Sequence, residues 1–272
     1  ANGGSIRIDS ELLSDALLDG ASVSIGVSRM AAFDLPSLLT TLDRYPYGCS
    51  EQTTSRALPL IYLGELSAAA GLDVDPDLKD RIEKAIARIM TFQSSSGSFG
   101  LWGPGWGDLW LDAYITEFLT RAREAGYNVP AHGFASTLTN LQNELAYTTD
   151  VSERGTEIAY ALYVLARNRK ASIGDLRYYA DARIDEFTSP MARAQIAASL
   201  ALYADTGRSE KAFNAALSQA RARSGDHFSR SDYGSSLRDG AAILALASEV
   251  TPAPSIIPAM AKFIEEERDD RK

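Results

Sequence analysis

Cys49 is the only cysteine in 272 residues, and Gln52 stands three positions after it in the stretch RYPYGCSEQTTSRALPL. Pro46 and Gly48 mark a tight turn ahead of the cysteine, and SEQTTSRALPLIYL reads as the opening of a helix. A thiol placed there meets the free N–H groups and the dipole of a helix N-terminus, which favour negative charge on sulfur. Side chains at i and i+3 share one helix face, so the thiol and the carboxamide of Gln52 are expected face to face. Such a pair can condense, with loss of ammonia, to an internal thioester. Two blander readings stand beside it. A lone cysteine is commonly a buried packing residue, and a cysteine paired with His132 or His227 would be a nucleophile. The second pairing leaves Gln52 without a role.

Other motifs carry less chemistry. The two histidines lie in different segments, with no second His or Cys at ligand spacing, so no metal site is expected. DVDPDL at 73–78 begins like a calcium loop, but Leu78 replaces the glycine at its sixth position and Lys84 the glutamate at its twelfth. GPGWG at 103–107 has neither a preceding strand nor a Gly-Lys-Ser/Thr ending, so it reads as a loop placing Trp102, Trp106 and Trp110 and not as a phosphate cradle. QSSSGSFGLW at 93–102 is similar to the Gln, Gly and Trp turns of terpene-cyclase-type toroids, a likeness of fold alone.

These residues need a scaffold, and the hydrophobic period shows which kind. SIRIDSELL and ASVSIGVSRM, within residues 1–30, alternate apolar and polar positions as strands do. From Leu35 onward apolar residues recur three and four apart over about eleven segments, the pattern of helices with one buried face. Gly71, Gly126, Gly174 and Gly207 punctuate these runs, where C-terminal caps are expected. Aligning WLDAYITEFLTRA, EIAYALYVLAR, QIAASLALYAD and RDGAAILALAS on Tyr114, Tyr160, Ala198 and Ala242 gives intervals of 46, 38 and 44 residues. One such helix per interval with a second between is a helical-hairpin repeat. The Ala-rich members suit an inner ring and charged ones such as DLKDRIEKAIARIM an outer ring. The expected class is all-α, five or six hairpins over 31–272 closing into an α/α toroid, with a strand-like segment at 1–30. Closure is expected over an open solenoid, since neither end resembles a polar capping repeat.

The net charge of −9 makes a nucleic acid or an anionic membrane a poor partner. No stretch has the roughly 18 consecutive apolar residues of a membrane span, and ANGGSIRIDS lacks the features of a signal peptide.

PYGCSEQ resembles the thioester signature proline-tyrosine-glycine-cysteine-x-glutamate-glutamine of the α2-macroglobulin and complement family. The longer LDRYPYGCSEQTTSRALPLIYL is similar to bacterial members in particular. GSFGLW, WLDAYITEFLTRAREAGYNVP and DYGSSLRDGAAILAL extend the resemblance over about residues 20 to 250. It implies a six-hairpin toroid at 31–272, with the strand-like segment at 1–30 leading from a neighbouring β domain, Cys49 supplying the thioester sulfur and Gln52 the acyl carbonyl. Gly48 and Glu51 take supporting positions, and Tyr45, Tyr47 and Trp106 shield the bond from water. It also implies a single-turnover protease trap and not an enzyme. A bait region elsewhere is cut, and the thioester acylates a nucleophile on the protease, a lysine amine by preference, since neither histidine falls where one would redirect it to hydroxyls. No cofactor is expected. The implied partners are target proteases and neighbouring domains of a longer inhibitor, and the implied place is the periplasm, with any membrane anchor in another part of that protein. Two competing classes are an α/α toroid hydrolase or cyclase, which would need convergent acids in its central cavity, and a helical-repeat binding module in which Cys49 is incidental.

Overall fold

Helices with apolar residues on every side alternate along the chain with helices apolar on one side, and that alternation builds two concentric layers. The structure, a computed structural model, describes residues 48–69, 76–223 and 234–269, all within the unit Leu39–Lys272. They form α1 (Ser50–Ala69), α2 (Leu78–Met90), α3 (Leu109–Glu124), α4 (Ala131–Tyr147), α5 (Val151–Arg167), α6 (Ile173–Ala182), α7 (Pro190–Leu202), α8 (Thr206–Ala222), α9 (Ser236–Ser248) and α10 (Ile257–Asp269). The expected strand-like segment at 1–30 and the helix expected at LPSLLTTLDRY lie outside the described residues. Among the described residues there is no strand, and Gln93 and Phe99 form an isolated antiparallel bridge.

In α5 every residue from Ile158 to Ala166 is buried, and in α7 the same holds from Ala194 to Ala201. A helix apolar all round must be covered all round. In α2, by contrast, Leu78, Ile82, Ile86 and Ile89 form one buried stripe while the other faces carry Lys and Arg. The packing follows: α1, α3, α5, α7 and α9 touch in sequence, while α2, α4, α6, α8 and α10 pack outside them. Tyr114, Tyr160, Ala198 and Ala242, aligned in sequence, thus fall on four consecutive inner helices, and the described residues supply five hairpins of an α/α toroid.

Side-chain caps set several inner helix starts. The carboxylate of Asp108 accepts from the Leu111 N–H at 2.8 Å, and Asp150 receives the Ser152 and Glu153 N–H groups. Helix ends correct the glycine expectation in part. Gly126 does follow α3 with φ +87°, but Gly174 and Gly207 sit in the first turns of α6 and α8, and Gly71 is outside the described residues. After α5 and α7 the left-handed position belongs to Arg169 (φ 59°) and Ala204 (φ 61°). There the Lys170 and Asp205 N–H groups close back on the Leu165 and Leu200 carbonyls at 2.8 and 2.9 Å. The closing bond uses only backbone, so a non-glycine residue can hold the position at a steric cost.

Candidate functional site

Cys49 caps α1. Its carbonyl accepts from the Thr53 N–H at 2.9 Å and its sulfur from the Gln52 N–H at 3.4 Å, so the thiol takes the place that a serine or aspartate oxygen usually fills. The residue is only 4% exposed. The Gln52 Oε1 is buried and, among the described residues, has no hydrogen-bond partner. An unpaired amide oxygen is costly to bury, and this one lies at the residue whose N–H touches the sulfur. The i, i+3 proximity expected from sequence is therefore present, with the helix beginning directly after the cysteine.

Neighbouring elements hold this terminus. The Ser50 N–H donates to the Leu101 carbonyl at 2.9 Å, tying α1 to the loop between α2 and α3. That loop is anchored in turn by Asp112 of α3, 1% exposed, which accepts from the Phe99 N–H at 2.7 Å and from the Asn140 amide at 2.8 Å. Burial, against those bonds, pushes the Asp112 carboxyl up to about 6. Gly97, at φ +95°, lets the loop lie against α4: a Cβ there would meet the Ser136 carbonyl oxygen at 2.3 Å.

Glu51 turns toward the axis of the ring. Its carboxylate accepts from the Ser55 hydroxyl at 2.7 Å, and that oxygen lies 3.0 Å from the Tyr114 hydroxyl. Because the Ser55 proton is committed to Glu51, Tyr114 is the donor to Ser55. Burial, against the bond to Ser55, pushes the Tyr114 hydroxyl up to about 12, so it keeps its proton. Ser55, Tyr114, Asp112 and the Leu101 carbonyl were not singled out from sequence for this site. Tyr114 sits 59 residues from Ser55, and nothing local marks the pairing.

Gly48 is exposed, its carbonyl accepts from Arg88 at 3.4 Å, and a Cβ there would meet nothing within 4 Å. Trp106 is 87% exposed and Trp102 68%, so both rings stand in solvent beside the loop, while Trp110 stacks on Tyr114 at 5.1 Å. Tyr45, Tyr47 and His227 lie outside the described residues. His132, at the start of α4, is exposed.

Residues 24–148 match the model of the A-macroglobulin TED domain. Alpha-2-macroglobulin of Escherichia coli K12 is 36% identical over 236 residues, which cover 82% of this chain and 14% of that protein. Among solved structures, Salmonella alpha-2-macroglobulin reacted with methylamine aligns with a TM-score of 0.74 at 32% identity, covering 89% of this chain and 16% of that one. Escherichia coli alpha-2-macroglobulin activated by porcine elastase aligns with a TM-score of 0.72 at 30% identity, covering 84% and 21%. The chain thus spans about a seventh of the first of these relatives. With the toroid, the capping cysteine and these likenesses together, the chain belongs to the A-macroglobulin family through its TED domain.

Proposed function

We propose that this chain is the covalent-capture domain of a protease-trapping inhibitor. The thiol of Cys49 and the carboxamide of Gln52 condense: a C–S bond forms, the C–N bond of the carboxamide breaks, and ammonia leaves. One observation carries this reading, the contact of the buried Cys49 sulfur with the Gln52 N–H at 3.4 Å. The unpaired Gln52 Oε1 supports it, because a thioester carbonyl accepts hydrogen bonds more weakly than an amide and tolerates a site without a donor.

A protease cut elsewhere in the longer protein exposes the bond. An amine of the attacker then adds to the Gln52 carbonyl, the C–S bond breaks, and Cys49 departs as a thiol. The attacker stays joined to Gln52, so each molecule acts once and the role is that of an inhibitor and not an enzyme. Two relatives, Salmonella alpha-2-macroglobulin reacted with methylamine and Escherichia coli alpha-2-macroglobulin activated by porcine elastase, support both halves of this sequence. Glu51 and Gly48 support the warhead, Tyr45 and Tyr47 shield it, and Trp106 joins the shield when another surface folds it over the site. The mechanism uses no cofactor. The protein acts in the periplasm as part of bacterial defence, its partners being proteases and the neighbouring domains of the same inhibitor, and any membrane anchor belongs to the remainder of that protein.

An intact-mass measurement on the longer protein tests the bond. The chain should be lighter than its sequence by one ammonia, and Cys49 should resist maleimide until methylamine is added. Full sequence mass with a freely labelled Cys49 would overturn the thioester. Methylamine should also outpace glycerol in adduct formation, because an alcohol needs a base to remove its proton and an amine is nucleophilic without one.

A further inference from the structure

Cys49, Gln52, Thr53 and Arg56 follow one another at helical spacing, so they share one face of α1. The outer helix α2 packs against α1, and its Arg81, Lys84 and Arg88 recur at i, i+3 and i+7 as a single stripe. Between the two helices lies a cavity of about 340 Å³ whose wall holds Arg56, those three cations, Gly48 and Thr53. Its size falls within the roughly 300–1,000 Å³ of small-ligand sites. Gly48 precedes Cys49 and Thr53 follows Gln52, so the cavity borders the warhead at both ends.

The wall has one sign. Among the described residues no aspartate or glutamate lines it, although the chain as a whole carries a net charge of −9. Arg88 is exposed, donates to the Gly48 carbonyl at 3.4 Å and lies over the Phe92 ring at 4.5 Å, and both partners are uncharged. Lys84 meets Asp80 at 2.6 Å, but Asp80 stands outside the wall and the pair is exposed on both sides, so it cancels little of the field. A cleft lined by one sign of charge focuses its potential inward. An ammonium alone is repelled there, whereas one flanked by carboxylates brings its own counter-charge.

We propose that the cavity between α1 and α2 is a specificity site that binds aspartate and glutamate side chains of the captured protein, so that nucleophiles set in acidic surface segments are acylated in preference to others. The guanidiniums of Arg56 and Arg88 present forks that match a carboxylate, and Lys84 adds a point charge. Arg56 stands at i+4 from Gln52, and side chains so spaced have Cβ atoms about 5–6 Å apart. A carboxylate held by Arg56 therefore brings the neighbouring residues of its own chain to the Gln52 carbonyl. The use of the site in capture rests on the thioester reading, but the anion binding does not.

Two readouts on the longer protein separate binding from capture. In its Cys49→Ala variant no thioester can form. There a fluorophore-labelled acetyl-Glu-Glu-Lys-Glu-Glu amide should bind, by anisotropy, about tenfold more tightly than the same peptide with glutamine for glutamate, exposed charge pairs being individually weak. Arg88→Gln should weaken the acidic peptide about threefold. Lys84→Gln should do the same and serves if losing the Arg88 bond to the Gly48 carbonyl disturbs α1. Lys79→Gln and Lys262→Gln, at exposed lysines outside the cavity, should change nothing. In the unmodified protein, intact mass should show the acidic peptide captured about tenfold faster than its glutamine counterpart, and the two rates should converge in about 1 M sodium chloride, where the screening length is about 3 Å. Equal affinity for the two peptides, unchanged affinity in both Arg88→Gln and Lys84→Gln, or an equal loss in Lys79→Gln would overturn the site. Displacement of the peptide by inorganic phosphate at equal concentration would assign the cavity to a small anion and overturn it too. Full binding of the acidic peptide with no adduct from either peptide would overturn the thioester reading and leave the site standing.

Discussion

Arg121 and Glu249 lie 128 residues apart in the chain and 2.8 Å apart in space. Arg121 projects from α3 and Glu249 follows α9, so the pair spans the ring. The same guanidinium bonds Glu117 at 2.7 Å and reaches Tyr62 of α1 and Tyr163 of α5, while Glu249 also takes Arg167 of α5. Four inner helices are thereby joined at the end of the ring remote from Cys49.

Glu249→Ala should therefore cost about 2 kcal/mol, less than the roughly 3–5 kcal/mol of a fully buried broken pair, because the Glu249 side chain is 31% exposed. Burial opposes its charge, but the bonds from Arg121 and Arg167 prevail and hold its carboxyl below the usual range. Its stabilisation is present above the unfolded carboxylate pKa and fades as pH falls through the lower folded value. Urea melts of the wild type and of Glu249→Gln should converge at acid pH. Curves that stay parallel would contradict this.

Asp112 titrates in the opposite sense. Its folded pKa of about 6 lies above the unfolded value, so between the two the folded protein binds more protons and stability falls as pH rises, becoming level above about 6. Against Asp112→Asn, the wild type should lose about 2 kcal/mol of relative stability from pH 4 to pH 7. Denaturation midpoints of both proteins across that range check the slope, and a constant difference would refute it.

What the sequence made legible follows from the range of each interaction. The proximity of Cys49 and Gln52 is set by one helical turn, so spacing alone exposed it. The inner helices were legible because an Ala-rich segment with no charged face has to be buried. The cluster around Arg121 and the bond of Tyr114 to Ser55 were not, because they are assembled from segments far apart in the chain. Trp106, expected over the thioester, is 87% exposed in this domain by itself, and no local pattern specifies the surface that would fold it over the site.

The left-handed ends of α5 and α7 show a local signal that misled. Glycine was expected there, and Ala204 holds φ 61° after α7. Ala204 is exposed, so its methyl contributes little packing to offset the left-handed conformation. Ala204→Gly should raise stability by about 1 kcal/mol, or roughly 2–4 °C in Tm for a domain of this size. A calorimetric scan showing no rise would mean that the greater freedom of glycine in the unfolded chain cancels the relief.

The loop beside Cys49 supplies a paired comparison. At Gly97 a side chain would demand φ +95° and place its Cβ 2.3 Å from the Ser136 carbonyl oxygen, whereas at Gly103 a Cβ meets nothing within 4 Å. Gly97→Ala should cost at least about 2 kcal/mol, while Gly103→Ala should lie within about 0.5 kcal/mol of wild type. The difference should carry to the warhead, because the Leu101 carbonyl of the same loop holds the Ser50 N–H at 2.9 Å directly after Cys49. A displaced loop frees that N–H and opens the helix start to water, so Cys49 labelling by maleimide should quicken in Gly97→Ala and stay at the wild-type rate in Gly103→Ala. Equal labelling rates in the two variants would show that the loop packs beside the cysteine without guarding it.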